Sequence, residues 1–164
     1  MWIHLLRHGI AFDRADPRCP PDPQRPLTDK GVKRTRAAAK GMRRIGIEPD
    51  LILTSPYLRA RQTADIVQDV LAPEARLEQV SAFVPDGNPA KMLAAIMRTK
   101  SKAPLCVGHA PSLDDLATYV GGCGESSIRL KKAGLCTLWL DEPTPGGGRM
   151  HALLPPAMLR GLAE

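Results

Sequence analysis

Three short apolar stretches, 2–7, 51–53 and 105–107, each break into a polar cluster, and a helical pattern follows each. That alternation constrains the fold more than any other feature. A strand apolar along its whole length must be covered on both faces, and parallel strands need a long crossover, usually a helix. The expected fold is therefore α/β: a three-layer sandwich with a largely parallel central sheet flanked by helices. Thr28 reads as the N-cap of a helix over about 29–45, with Val32, Thr35, Ala39 and Met42 as its buried stripe. Ser55 and Pro56 read as N-cap and first residue of a second helix, whose stripe is Ala60, Thr63, Val67 and Val70. A strand is expected over 77–81, helices over 88–99 and 112–120, and strands over 135–140 and 149–154 joined by a Pro/Gly-rich turn. Residues 11–26 carry Pro17, Pro20, Pro21, Pro23 and Pro26, which makes a loop, either a connector or, over 13–26, a lid.

The chain of 164 residues reads as a single domain over 1–164. No apolar run approaches the ~20 residues of a membrane span, and the first residues lack the basic start of a secretory signal. The expected location is the cytoplasm, with no membrane partner. Cys19, Cys106, Cys123 and Cys136 are widely spaced and lack a C-x-x-C pair, so they read as reduced thiols rather than a disulfide framework or zinc site. Basic residues outnumber acidic ones 23 to 17, a surplus of +6 that suits an anionic partner. With 4% aromatics, nucleic acid is the weaker candidate and phosphate the stronger. The cations of 30–44 are assigned to the wet face of their helix.

The polar clusters are Arg7-His8-Gly9, Ser55-Pro56-Tyr57-Leu58-Arg59-Ala60 and Gly108-His109. Ligands of open α/β sheets bind beyond the carboxyl ends of the strands, so the three clusters can meet in one crevice. Two guanidiniums and two imidazoles there would suit a dianion, aided by a helix N-terminus. Gly9 and Gly108 would let backbone approach the ligand. Each residue also has a plainer reading. His4 sits about 13 Å from His8 along an extended strand and is taken as structural. His151 reads as structural or surface, Cys106 as core, Arg61 as solvated and Ser112 as a helix cap. Asp114 and Asp115 complement a helix dipole.

Leu6-Arg7-His8-Gly9, Pro26-Leu27-Thr28-Asp29-Lys30-Gly31, Ser55 to Thr63 and Val107-Gly108-His109-Ala110-Pro111 together resemble the histidine phosphatase superfamily, of phosphoglycerate-mutase-like fold. The short chain is most similar to the small bacterial phosphohistidine phosphatases of that family. The resemblance implies that His8 is the nucleophile, that Arg7 and Arg59 hold phosphate oxygens, and that His109 completes the pocket, with Gly9 beside it. It implies no metal and no cofactor. The partner would be a phosphorylated protein carrying phosphohistidine, or a small phosphorylated substrate; oligomeric state is not legible. Many members place a glutamate as general acid after the third strand, whereas residues 77–87 here offer only Asp86, a weak substitute. A missing acid favours a P–N bond or a reactive ester over an alkyl phosphate. The alternatives are a small-molecule phosphomonoesterase with the same chemistry and a non-catalytic anion-binding or nucleic-acid-binding module.

Overall fold

The computed structural model describes residues 1–122, 124 and 128–163; Cys123 lies outside the described residues. Six strands form one sheet: β1 (Trp2–Arg7), β2 (Leu51–Thr54), β3 (Arg76–Gln79), β4 (Pro104–Gly108), β5 (Leu135–Leu140) and β6 (Gly148–Leu154). Their order is β3-β2-β4-β1-β5-β6. The first four run parallel, while β5 and β6 pair antiparallel at one edge. The sheet is mostly parallel and the fold is α/β, as the strand–helix alternation demanded.

Period-two alternation sorts the strand residues onto two faces. Ile3, Leu5, Leu51, Leu53, Cys106, Cys136 and Leu138 pack with α3 (Pro89–Arg98) and α4 (Ser112–Gly121). Leu6, Ile52, Leu105, Val107 and Leu135 pack with α1 (Asp29–Arg44), α2 (Leu58–Leu71) and the short α5 (Pro156–Gly161). Every strand residue of β2 and β4 is buried. Helices therefore cover both faces, which is why these strands carry no polar alternation.

Thr28 caps α1, its hydroxyl accepting from the Gly31 amide. Thr35, Ala39 and Met42 are buried as the spacing predicts, but Val32 is half-buried, and Gly31, Ala38 and Gly41 complete the stripe. Small residues there permit close approach: a Cβ on Gly31 would strike the Ile10 carbonyl, and one on Gly41 the Leu159 carbonyl. Lys30, Lys33, Arg34, Arg36, Lys40, Arg43 and Arg44 all face solvent. The α2 stripe holds in full.

Three local expectations are corrected. Ser55 and Pro56 do not open α2: Tyr57 is its N-cap and Leu58 its first residue. Ser112 does not cap α4, whose N-cap is Pro111; its hydroxyl bonds to the Val84 and His109 carbonyls instead. The strand expected over 77–81 ends at Gln79, and a 3₁₀ turn occupies Ser81–Phe83. The α5 helix is absent from the sequence reading because six residues starting at the second of two prolines carry too little periodicity to register.

Cys19, Cys106 and Cys136 are free thiols. Burial raises the Cys106 thiol far above its ordinary value and pushes Cys136 up to about 12, which keeps both inert within the core. No helix among the described residues is long and apolar enough to cross a membrane.

Candidate active site

Strand register brings the distant clusters together. In the parallel ladders Arg7 stands opposite Gly108, and Thr54 opposite Val107. Pairing continues one residue further: the His8 amide donates to the Gly108 carbonyl at 2.9 Å, and the Ser55 amide to the Val107 carbonyl at 3.0 Å. His8, His109 and Ser55 thus leave three adjacent strands at one level. Arg59 enters from the first turn of α2 with 1% exposure.

The ring centroids of His8 and His109 lie 5.1 Å apart. Arg59 Nε donates to His8 Nε2 at 3.3 Å. His8 Nδ1 lies 2.7 Å from the Gly9 carbonyl, which can only accept, so Nδ1 carries the proton and Nε2 the lone pair. Gly9 is held in turn: its amide donates to Thr63 Oγ1 at 3.0 Å, while that hydroxyl donates to the Arg59 carbonyl at 2.7 Å. A Cβ on Gly9 would strike Thr35 Oγ1. Packing against α1 thus by itself requires a glycine here. His109 Nε2 hydrogen-bonds Ser55 Oγ at 2.9 Å, while its Nδ1 is buried without a partner. Tyr57 flanks this ring at 5.3 Å and lies 5.1 Å beneath the Arg59 guanidinium. Arg7 donates from Nη1 to the Leu130 carbonyl at 2.8 Å, and its Nε has no partner.

Arg7, His8, Arg59 and His109 line one cavity of about 600 Å³, together with Arg14, Arg25, Lys132 and a single acid, Asp13. The site therefore concentrates positive charge around two neutral imidazoles. Burial, then His109, Arg59 and Arg7, drives the His8 pKa down to about 2, although the Gly9 carbonyl opposes this. Burial and Arg59 drive His109 to about 3. Neutral rings at ordinary pH and unpartnered donors on Arg7 mark a cavity prepared for an anion.

Two residues shape this cavity through its arginine and histidine: Asp22, which no sequence pattern singles out, and Ser55, which the sequence presents as a helix cap. Asp22 lies in a 3₁₀ turn, Asp22–Gln24, within the proline-rich segment. Arg59 donates to its carbonyl at 2.7 Å and to its carboxylate at 3.1 Å. Arg25 and Arg14 reach the same carboxylate at 3.1 and 3.0 Å. Burial would raise the Asp22 carboxyl, but the three guanidiniums outweigh it and hold it below the usual range. The segment lines the cavity through Phe12, Asp13, Arg14 and Arg25, and Asp22 ties it to Arg59. The second residue is Ser55, which orients His109 rather than capping α2. Asp114 does more than complement a dipole: it accepts from the Leu130 amide at 2.9 Å and so supports the carbonyl-bearing residue that receives Arg7.

The remaining candidates lie apart. Asp86 is exposed and outside the cavity lining, although Pro85 beside it contributes. His4 is buried on β1, with Nδ1 3.2 Å from Thr137 Oγ1, and His151 is exposed on β6. Arg61 pairs with Asp65 in solvent.

Residues 3–82 match the model of the histidine phosphatase superfamily (branch 1), and the fold agrees with it. The chain belongs to the histidine phosphatase superfamily. It is 40% identical over 144 residues to an uncharacterized protein of Picosynechococcus, spanning 84% of each chain. It is 28% identical over 165 residues to the phosphohistidine phosphatase SixA of Escherichia coli, covering 98% of this chain and 97% of that one. A solved structure of the protein histidine phosphatase SixA complexed with tungstate superposes with a TM-score of 0.83 at 27% identity, covering 96% of this chain and 98% of the other.

Proposed function

We propose that the protein hydrolyses phosphohistidine on a protein substrate, with His8 as the nucleophile that is transiently phosphorylated. The observation that carries this reading is the state of His8: a neutral ring, its Nδ1 proton held by the Gly9 carbonyl and its Nε2 lone pair among guanidiniums. Phosphoryl transfer asks chiefly for positioning and for positive charge around three equatorial oxygens. Arg7 and Arg59 supply that charge, and His109 donates from its unpartnered Nδ1 side once it holds a proton. The chemistry calls on no metal for that charge.

Nε2 attacks phosphorus as the P–N bond of the substrate breaks. A substrate imidazole protonated on its other nitrogen leaves neutral, so no carboxylic acid need protonate it. The newly formed phospho-His8 ring carries a positive charge, which the Gly9 carbonyl stabilises through Nδ1–H. Water then adds to phosphorus, the bond to Nε2 breaks, and its electron pair returns to the ring. Both water protons leave with the product as dihydrogen phosphate, which loses one to solvent. Splitting the hydrolysis into two displacements at one lone pair lowers each barrier. Two further points support a P–N substrate: Asp86 lies outside the cavity lining, and the SixA relative is named a phosphohistidine phosphatase.

The test is to trap the phosphoenzyme with labelled substrate and examine the linkage. An acid-labile, base-stable label that is lost in His8→Ala is expected. A clear preference for an alkyl phosphate ester over a phosphohistidine peptide would overturn the substrate assignment.

A further inference from the structure

Beside the phosphoryl cavity lies a second, of about 500 Å³, between α1, the turn preceding β5, and α5. Arg34, Lys131, Arg160 and Thr35 line it, and Arg7 and Lys132 line both cavities. Its lining thus brings five cations and no carboxylate. Eight arginines outside the trough, Arg14, Arg18, Arg25, Arg36, Arg59, Arg61, Arg76 and Arg149, bridge to carboxylates. Among the described residues, Arg34, Lys131, Lys132 and Arg160 form no ion pair. Thr35 is 1% exposed, and its hydroxyl has no hydrogen-bond partner. Desolvation and then the charges of Arg7 and Arg25 lower the pKa of the Lys132 ammonium. Folding has placed like charges around one concavity, where their fields reinforce each other and only an incoming anion relieves the repulsion.

We propose that this trough receives acidic side chains that flank the phosphohistidine on the substrate protein. The proposal rests on the phosphohistidine reading of the first cavity. Continuity argues for a single substrate spanning both: Arg7 touches the phosphoryl site on one side and the trough on the other. The form of the trough argues for a protein surface. Arg34, Lys131 and Lys132 are exposed, and the five cations come from four separate elements. They present a broad positive face instead of converging on one small anion. Carboxylates spread over an acidic surface match that distribution, and they would steer association as well as hold register.

The test compares two synthetic phosphohistidine peptides, one with glutamates flanking the phosphohistidine and one with glutamines. The intact protein is set against the charge-reversed variant Arg34→Glu/Lys131→Glu/Arg160→Glu. Turnover of p-nitrophenyl phosphate, too short to span both cavities, and a melting curve report in the same preparations whether the fold and phosphoryl site survive. The intact protein is expected to favour the acidic peptide by about tenfold at low ionic strength, through KM, with the preference shrinking as salt rises. The variant should lose that preference. Should it fail to fold, Arg34→Gln and Lys131→Gln separately should each reduce the preference several-fold. Equal rates on the two peptides, or a preference that survives charge reversal, would overturn the proposal. Equal rates together with inhibition by inorganic phosphate that charge reversal relieves would identify a small second anion as the occupant and also overturn it. If neither peptide reacts while p-nitrophenyl phosphate does, the phosphohistidine reading fails; acidic and neutral phosphotyrosine peptides then decide the trough by the same comparison.

Discussion

His4 and His8 come from the same stretch of chain, four residues apart, and both are buried. Burial leads the depression of both pKa values, to about 4 for His4 and about 2 for His8. Yet only one stands in a site. His4 lies mid-strand, hydrogen-bonded to Thr137 and stacked 6.3 Å from Trp2. His8 lies one residue beyond the strand, where three adjacent parallel strands end together, with Arg59 at its lone pair. A buried neutral imidazole is therefore common to packing and to chemistry. The cations at its open nitrogen and its place at the strand ends make the difference.

The comparison yields a graded series of tests. The largest effect is expected for His8→Ala, which should abolish turnover and phosphoenzyme while the melting curve remains that of a folded protein. A variant that hydrolyses substrate at the parent rate would remove His8 from the mechanism. Arg59→Ala should cost about 10²–10³ in kcat, the scale of losing one donor to a developing anion; steady-state kinetics would show it. Asp22→Asn acts in the opposite sense. It removes the resident carboxylate that competes for Arg59, so vanadate inhibition should tighten by about three- to tenfold, a range typical of a coupled ion pair. Unchanged or weaker inhibition would mean that Asp22 positions Arg59 without competing. Ser55→Ala leaves His109 Nε2 without its partner and should lower kcat/KM by about three- to tenfold, in line with one buried hydrogen bond.

The smallest effect on catalysis belongs to His4. A histidine whose folded pKa lies below its unfolded value contributes stability in full above the unfolded value. That contribution is lost as pH falls toward the folded one. With folded values of about 4, 2 and 3 for His4, His8 and His109, stability should decline from about pH 6.5 downward. The slope is ~1.4 kcal/mol per pH unit for each histidine until its folded pKa is reached. His4→Leu should flatten that decline, measured by denaturant unfolding between pH 7 and 4.5, and leave turnover near the parent level. A loss of turnover comparable with that of His8→Ala would erase the distinction between the two rings.

Much of this was legible in the chain. Uniformly apolar stretches at 51–53 and 105–107 require cover on both faces; α1 and α2 cover one, with the expected residues apart from the displaced Val32, and α3 and α4 cover the other. The clusters around His8, Arg59 and His109 were also readable, since each terminates a strand or opens a helix. Asp22 was not, because a lone acid among prolines carries no periodicity and acquires meaning only when Arg59 arrives from 37 residues away. Ser55 was misread for a related reason. The serine-proline pair satisfies the local rules for opening a helix, but the hydroxyl found a stronger claim in His109, which is 54 residues distant.

The amino-acid order by itself determined the kinds of element and the chemical inventory: apolar strands, one-sided helices, four imidazoles and an excess of guanidiniums. Local spacing and side-chain type are sufficient for these. The tertiary structure alone decided how the site imidazoles meet the guanidiniums, which tautomer His8 holds, and where unpaired cations gather beside it. Those outcomes depend on ladder register and on contacts between residues far apart in the chain, which no local pattern encodes.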